Sequence, residues 1–331
     1  MNTPPEEFLR VSPEALRSFA LACLQVAGMN TVHAEQLARL LVDSDLRGVR
    51  SHGTRALRGY AKVIQQRQVN PDPQISIIAE TDTSIHIDGD GSLGYAPTML
   101  ATEKCIEKAK NKGTAVGAIQ CIGHYGSAGH YVRRAMAEGL IGFSVQSASP
   151  QYYANNEGRR AAHYGNPPMC FGLPSAQEPP VVLDVATCIL ADYQRGEEFE
   201  ALEELIPAAF FKSMGFTAIG TALGGAFVGQ ATERAGQILQ TYPSARLGGM
   251  IWLVDASLFV PGEMFRGAVD DMVRLAREQL VPMRGYTEAT LPGSVEHRLE
   301  QEYSANGIKM GQLERDRLAE LGAELGVEIP W

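Results

Sequence analysis

Two histidines lie in short glycine loops, where a side chain can reach a small substrate. His52 lies in Arg50-Ser51-His52-Gly53 and His124 lies in Gly123-His124-Tyr125-Gly126. Histidine is the side chain whose ordinary pKa lies nearest neutral pH, so two such loops indicate proton transfer to or from a small molecule. A single loop histidine is more often a hydrogen-bonded structural residue, so the residues around both loops decide the interpretation.

The first loop is rich in arginine. Ser51 and His52 are accompanied by Arg47, Arg50, Arg55 and Arg58. A guanidinium can bind a carboxylate through two parallel hydrogen bonds, so this segment is the natural place to anchor an organic acid. The alternative is a basic, solvated start of a helix, which accounts for some of these arginines.

A glycine motif, Gly89-Asp90-Gly91-Ser92-Leu93-Gly94, follows a predicted strand and precedes a predicted helix, as in a dinucleotide fingerprint. However, the next predicted strand, 115–122, carries no Asp or Glu that could hold a ribose hydroxyl, and Pro97 lies in the first turn of the helix. We therefore interpret the motif as an ordinary turn and predict that no dinucleotide pyrophosphate binds there.

Lys212 precedes an apolar segment that predicts a helix over 217–229. A lysine at the start of a helix is disfavoured by the helix dipole unless an anion binds there, and the same helix end attracts phosphate. Lys212 is therefore a candidate phosphate contact, with a surface lysine as the alternative.

The periodicity of apolar residues predicts a helical region followed by alternating strands and helices. Ser12 and Thr31 are predicted to cap the first two helices, and a third covers 55–67. The predicted strands are 84–88, 115–122, 141–145, 181–185 and 250–254, and the helices between them include 96–112, 129–138 and 263–279. We predict that the mostly helical tail, 293–325, returns to pack on the first helices.

Composition excludes several classes of protein. The net charge is -9 and no basic patch is visible, so a general nucleic-acid binder is not expected. No run reaches the roughly 20 apolar residues of a membrane span, and the first ten residues lack the apolar core of a signal peptide, so a cytoplasmic protein is expected. Five scattered cysteines indicate neither a disulfide framework nor a metal site.

Several motifs occur together and in order from about Val11 to Met310. They are 45–53 with Tyr60, the 123–126 loop, Gly165-Asn166-Pro167, Val182-Leu183-Asp184-Val185-Ala186-Thr187, and Phe211-Lys212 with Gly215. This set resembles the malate/L-lactate dehydrogenase family, which also contains ureidoglycolate, sulfolactate and diketogulonate dehydrogenases and a cyclic ketimine reductase.

The resemblance implies an α/β fold with a non-Rossmann, mixed-sheet NAD(P)-binding domain, residues 76–284, and a smaller, discontinuous helical domain, residues 1–75 and 285–331. It implies an oxidoreductase that transfers a hydride between NAD or NADP and a small 2-hydroxy or 2-oxo acid, or a cyclic imine. A homodimer is implied as well.

The resemblance also assigns roles to single residues. His124 becomes the proton donor and acceptor. The implied substrate contacts are Ser51, His52, Arg55, Tyr60 and Asn166, and the implied cofactor contacts are Asp184, Val185, Ala186 and Lys212.

Two departures from the family pattern favour an alternative. The family arginine commonly comes four positions after the loop histidine, where this chain has Ala56, and Arg55 lies one position earlier, which turns a helical side chain by about 100°. Between Thr187 and Pro207 a short acidic segment replaces a longer one. The alternative is a non-catalytic homologue that keeps the fold and binds a metabolite or a protein partner.

Overall fold

The computed structural model describes residues 4–154, 165–189 and 196–331. In chain order its strands are β1 (Leu9–Val11), β2 (Ser76–Glu80), β3 (Ser84–Asp88), β4 (Thr114–Ile122), β5 (Ile141–Ala148), β6 (Pro168–Leu173), β7 (Val181–Ala186), β8 (Leu247–Val254) and β9 (Ile308–Met310). Its α-helices are α1 (Pro13–Val26), α2 (Thr31–Leu46), α3 (Leu57–Gln65), α4 (Tyr95–Lys112), α5 (Gly129–Met136), α6 (Pro150–Ala154), α7 (Glu197–Leu205), α8 (Pro207–Thr221), α9 (Glu233–Thr241), α10 (Gly262–Gln279), α11 (Ser294–Asn306) and α12 (Gln312–Leu325).

The chain divides into two compact units. The first comprises Met1–Gln74, Leu173–Val182 and Val260–Trp331, and the second comprises Ile75–Gly172 and Leu183–Phe259. Among the described residues, no single helix has the length and hydropathy of a membrane span, and α7 meets that test only together with 207–226, across a bend of 100°.

The second unit is built on a mixed sheet of seven strands in the order β2-β3-β4-β8-β5-β6-β7. β3 and β4 are parallel, whereas the pairs β2–β3, β4–β8, β8–β5 and β5–β6 are antiparallel. A doubly wound dinucleotide-binding sheet is mostly parallel. The mixed, non-Rossmann sheet that the family resemblance implied is therefore confirmed.

Helices cover both faces of this sheet. Gly117 and Gly172 lie on one face, where α4 and α5 approach so closely that a Cβ at Gly172 would be 2.2 Å from Val132 Cγ1. On the opposite face Val145 and its neighbours pack against Leu223, in the π-helical turn 222–226 that continues α8. The period-2 pattern of the strands thus produces two buried faces, since both carry apolar or small residues.

The π-helical turn approaches the backbone of β5 through glycine. A Cβ at Gly225 would lie 1.9 Å from the carbonyl oxygen of Ala148, and one at Gly224 would lie 2.8 Å from the Ser147 nitrogen. Neither position leaves room for a side chain, so this part of the core depends on close contact between two backbones.

The first unit joins the amino-terminal helices to the carboxy-terminal tail, as predicted. β1 pairs with β9 in an antiparallel two-stranded sheet. Arg47, the residue that caps the carboxyl end of α2, forms an ion pair of 2.6 Å with Glu300 on α11, and Arg58 on α3 pairs with Glu320 and Glu324 on α12. The tail is therefore held by β1, by the end of α2 and by α3.

Two boundaries differ from the sequence prediction. Residues 260–284, which we assigned to the α/β domain, belong to the first unit together with 173–182. Hydrogen bonds join the two segments to each other, since the Asp270 carboxylate accepts from the backbone N–H of Ala176 and Glu178, both at 3.0 Å, and Arg277 pairs with Glu178 at 2.7 Å. The Val182 N–H donates to the Pro292 carbonyl at 2.9 Å, which ties them to the tail. The amphipathic pattern of α10 shows only that one face is buried, not which partner buries it.

At the helix starts the prediction is confirmed once and wrong once. Ser12 caps α1 by accepting the Ala15 N–H at 3.0 Å. Asn30 caps α2 through a bond of 3.0 Å from the Val32 N–H, so the predicted cap, Thr31, is instead the first residue of the helix. Asn and Thr both favour the cap position, and the sequence alone did not separate two neighbouring candidates.

Asp45 fixes the backbone that follows the first histidine loop. Its Oδ2 accepts from the Thr54 N–H at 2.9 Å and from the Thr54 hydroxyl at 2.6 Å. The carboxylate lies over Gly53, where a Cβ would be 1.8 Å from Oδ1. Burial raises the pKa of Asp45 to about 7 although the bonds from Thr54 oppose that rise, and the nearby Glu314 carboxylate adds to it.

We expect Gly225→Ala to lower the free energy of unfolding by roughly 1–3 kcal/mol or more, because the added methyl overlaps a backbone carbonyl and overpacking costs about that much. Gly236→Ala in α9 is the matched control, since a Cβ there meets no atom within 4 Å. The control should be neutral or stabilising by up to about 1 kcal/mol. Urea denaturation of both variants measures the difference, and equal stabilities would contradict the close approach of the two backbones.

Asp45 should make stability depend on pH. The folded protein keeps its proton up to about pH 7, whereas the ordinary value is 3.8, so this stabilisation is complete below about pH 4 and is lost as the pH rises through 7. Each pKa unit corresponds to about 1.4 kcal/mol, which sets an upper limit of about 4 kcal/mol. In Asp45→Asn the amide oxygen can accept both bonds from Thr54 without titrating. Urea midpoints between pH 4 and 8 should fall less steeply for the variant, and parallel profiles would refute this role.

Candidate active site

The first histidine loop is a 3₁₀ turn, 50–52, between α2 and α3. Ser51 Oγ and His52 Nδ1 share a hydrogen bond of 3.0 Å, so the two side chains are held together. Ser51 is exposed and His52 is partly buried. Tyr60 lies on the buried face of α3 and is only 7% exposed, so most of its ring packs in the helical core of the first unit.

The arginines beside this loop face a carboxylate of the protein itself. Arg50 and Arg55 each place a guanidinium nitrogen near Glu314 Oε1, at 3.8 and 3.9 Å. Glu314 lies in the first turn of α12 and is 5% exposed. A substrate carboxylate at Arg55 would share that guanidinium with Glu314. Sequence reasoning missed Glu314, because no local signal links it to a loop more than 250 residues earlier.

The second histidine loop follows β4 and interlocks with the turn after β3. The Gly123 N–H donates to the Ser92 carbonyl at 2.7 Å, and the Gly94 N–H donates to the His124 carbonyl at 3.0 Å. A Cβ at Gly94 would lie 2.6 Å from Tyr125 Cβ. The turn after β3 therefore fixes the backbone of His124. The imidazole of His124 is partly buried and lies at the carboxyl end of β4, a central strand of the sheet.

The glycine motif uses most of its backbone N–H groups in hydrogen bonds within the protein. Five of its backbone N–H groups donate to protein acceptors: Gly89 to the Gln120 carbonyl, Asp90 to the Asp88 carboxylate, Gly91 to the Cys121 carbonyl, Ser92 to the Gly89 carbonyl and Gly94 to the His124 carbonyl. Phosphate binding by such a motif needs free N–H groups. The structure confirms the motif as a turn between strand and helix, and its hydrogen bonds support the prediction that no pyrophosphate binds there.

An ion pair between a buried carboxylate and a partly exposed arginine holds the same turn. Asp88, at the end of β3, is 6% exposed and binds Arg234 Nε at 2.9 Å and Gln120 Nε2 at 3.2 Å. Burial by itself would raise the pKa of Asp88, but the hydrogen bonds from Arg234, the Asp90 N–H and Gln120 together hold that pKa below its ordinary value. The carboxylate therefore stays charged and keeps the turn in place. The sequence offered no signal for its partner on α9.

Asp184 connects β7 to the second histidine loop. Its carboxylate accepts from the Ser127 hydroxyl and, at 2.9 Å, from the Gly129 N–H at the start of α5. A negative charge at the amino end of a helix is favourable. The other two predicted cofactor contacts on this strand differ: Val185 packs against the apolar face of the sheet, and Ala186 is exposed.

Asn166 is tied to the end of β7. Its Oδ1 accepts the Cys188 N–H at 2.9 Å, and the Pro167 carbonyl accepts the Thr187 N–H at 3.2 Å. The Thr187 hydroxyl shares a bond of 2.8 Å with Thr217 on α8. The structure thus brings Asn166, the end of β7 and α8 together.

Lys212 lies on α8 but not at its start. The helix begins at Pro207, so Lys212 falls in its second turn, and the argument from the helix dipole is wrong for this residue. Proline suits the first position of a helix, which explains the earlier start. Lys212 is exposed and has no ion pair with any residue that the structure describes. The next residue, Ser213, donates to the Thr187 carbonyl at 2.5 Å, which places Lys212 beside the end of β7.

The predicted site residues therefore fall into two groups. His124, Asn166, Asp184, Val185, Ala186 and Lys212 belong to the second unit, and Ser51, His52, Arg55 and Tyr60 belong to the first. Within the described ranges, no group of three His, Cys, Asp or Glu side chains has the arrangement of a metal site.

Comparison with known proteins shows the family to which the sequence belongs. The family model for malate/L-lactate dehydrogenase matches residues 11–197. The malate/(S)-sulfolactate dehydrogenase of Methanothermus fervidus is 25% identical over 351 residues, spanning 97% of this chain and 99% of the relative. The ureidoglycolate dehydrogenase (NAD(+)) of Escherichia coli O157:H7 is 24% identical over 328 residues, spanning 91% and 93%.

A solved structure shares the fold over the whole chain. Malate dehydrogenase from Pyrococcus horikoshii OT3 superposes with a TM-score of 0.82 at 24% identity and covers 98% of both chains. The family match covers more than half of the sequence and includes both histidine loops. The chain belongs to the malate/L-lactate dehydrogenase family.

Proposed function

We propose that this protein transfers a hydride between NAD or NADP and a small 2-hydroxy or 2-oxo acid, or a related cyclic imine, with His124 as general acid and base. The protein is an enzyme of the malate/lactate dehydrogenase-like type. Its relatives are named for malate, sulfolactate and ureidoglycolate, and one is named as NAD(+)-dependent, which supports the substrate class and the cofactor.

The placement of His124 carries the proposal. A carbonyl carbon that receives a hydride leaves an oxyanion, and a neighbouring imidazolium can give it a proton at neutral pH. In the opposite direction the imidazole takes the hydroxyl proton. The turn at 89–94 holds the His124 backbone, so the Cα from which the imidazole extends is already in place before a substrate binds.

The residues around β7 fit a nicotinamide dinucleotide. The exposed Lys212 ammonium has no partner among the described residues and can pair with a phosphate, and Ala186 leaves the strand end uncovered. When bound, the cofactor supplies or accepts the hydride. Asp184 has a further role, because its carboxylate already holds the loop that carries His124. We retain Ser51, His52, Arg55, Tyr60 and Asn166 as proposed substrate contacts on the family resemblance.

A cytoplasmic location and the lack of a nucleic-acid partner are part of the same proposal. All five cysteines are free thiols, as is usual in a reducing compartment. The net charge of -9 disfavours binding to a phosphate backbone.

We expect His124→Ala to lower kcat by about 100- to 10,000-fold, the usual contribution of a general acid, while cofactor affinity stays near the wild-type value. Lys212→Ala should do the reverse: it should weaken the cofactor by roughly ten-fold or more and change kcat little, because a phosphate contact acts on the ground state and the transition state alike.

Steady-state kinetics with 2-oxo acids and a cyclic imine, together with thermal shifts on NADH and NADPH, measure both effects. Lys62→Ala, which removes another exposed lysine, is the control. A wild-type protein that neither nicotinamide cofactor stabilises would overturn the proposed function and favour the binding-only alternative.

We also propose a homodimer. On α8 the side chains of Phe211, Phe216 and Ile219 are 76%, 51% and 53% exposed, and exposed apolar surface of this kind marks association surfaces. Sedimentation velocity should give about twice the 35.8 kDa mass of one chain, and Phe216→Glu should shift the protein toward the monomer. A wild-type protein that sediments as a monomer would contradict this proposal.

A further inference from the structure

Gln146 forms two hydrogen bonds with the backbone of the second histidine loop. It lies on β5, its side chain is 1% exposed, and both polar atoms of its amide are used. Nε2 donates to the Gly123 carbonyl at 3.0 Å, and Oε1 accepts the Tyr125 N–H at 3.1 Å. The two bonds fall on the residues immediately before and after His124.

A primary amide suits this pair of bonds at neutral pH. The Gly123 carbonyl needs a donor and the Tyr125 N–H needs an acceptor, and a primary amide presents both on one planar group. An apolar side chain would leave both backbone groups buried without partners, at a cost of roughly 1–3 kcal/mol each. A carboxylate would place a negative charge against the carbonyl oxygen.

Other contacts hold the same loop on either side. The Gly94 N–H binds the His124 carbonyl, as described above, and the Tyr131 hydroxyl donates to the Tyr125 carbonyl at 2.5 Å. Tyr125 also shares a bond of 3.1 Å between its hydroxyl and that of Ser144. Gln146 differs from Tyr131 and Ser144 because it alone among these side chains spans the peptide groups on both sides of His124.

We propose that Gln146 is the positioning residue for His124: its amide fixes the direction of the Cα–Cβ bond of His124, and therefore the place at which the imidazole meets a substrate oxygen. This inference rests on the proposed role of His124. Gln146 does not touch the reacting atoms, and it acts through the backbone. Its effect should therefore appear in kcat more than in KM, because a displaced acid weakens the transition state and not substrate binding.

Two variants and one control test this. Gln146→Met keeps the length of the side chain and removes both hydrogen bonds. Gln146→Glu is isosteric and can mimic the amide only when it is protonated, since a neutral carboxyl group has one O–H donor and one acceptor oxygen. Ser144→Ala is the matched control. Ser144 lies two residues away on the same strand and is 0% exposed. The variant loses a hydrogen bond to the Tyr125 hydroxyl but none to the backbone beside His124.

We expect Gln146→Met to lower kcat by about 100-fold, the usual effect of misplacing a catalytic group by 1 Å, with KM near the wild-type value. For Gln146→Glu, the ratio of variant to wild-type kcat should rise as the pH falls, once each kcat profile has been corrected for the His124 titration midpoint measured in the same protein. Ser144→Ala should keep a kcat within a few-fold of the wild type.

A second readout does not need turnover. NMR titration of the imidazole, with the His124 resonance identified by its absence in His124→Ala, should show a shifted midpoint in Gln146→Met and an unchanged one in Ser144→Ala. If His124→Ala is inactive but Gln146→Met retains both wild-type kcat and an unchanged titration, the positioning role is wrong and the proposed function stands. If His124→Ala itself turns over normally, the catalytic role of His124 is wrong and the positioning role of Gln146 is wrong with it, although the hydride transfer stands.

Discussion

The close approach of two backbones at the ends of β3 and β4 is the constraint on which the candidate site depends. Parallel pairing brings the turn after β3 beside the loop after β4, and the two exchange hydrogen bonds at Gly123 and Gly94. A Cβ at Gly89 would lie 2.2 Å from Ile122 Cγ2, so the contact requires glycine. Because parallel neighbouring strands end at the same edge, a histidine that follows one of them is held by the other.

Buried carboxylates secure the loops of this acidic protein, and their surroundings decide their charge. Asp88 keeps its negative charge because a guanidinium and several N–H groups compensate for its burial. Among the described residues, Asp45 accepts two bonds from Thr54 and lies near another carboxylate, Glu314, so burial dominates and its pKa rises to about 7 although the Arg50 charge opposes the rise. Both residues bind a backbone N–H in a turn, yet the pKa of Asp88 lies below its ordinary value and that of Asp45 lies near neutral pH.

Local patterns predicted the elements well and their partners poorly. The apolar faces of α1 and α2, the strand 84–88 and the alternation of strand and helix could be derived from periodicity, because each depends on neighbours within one or two turns of chain. The start of α8 was missed: the sequence predicts a helix over 217–229, whereas the helix begins ten residues earlier, at Pro207. The strand predicted over 141–145 ended one residue before Gln146, because a polar residue breaks the apolar pattern although it is buried in the fold.

The sequence by itself determined the family, through its ordered motifs, and with the family the mixed α/β fold. It also identified the two histidine loops as candidate functional sites. Only the tertiary structure decided what several of those residues touch. It assigned the glycine motif to backbone packing, placed Glu314 between Arg50 and Arg55, and brought Gln146 to the two peptide groups beside His124. The physical reason is that these contacts join residues far apart in the chain, and a hydrogen bond or a close approach leaves no periodic trace in either of the segments that it connects.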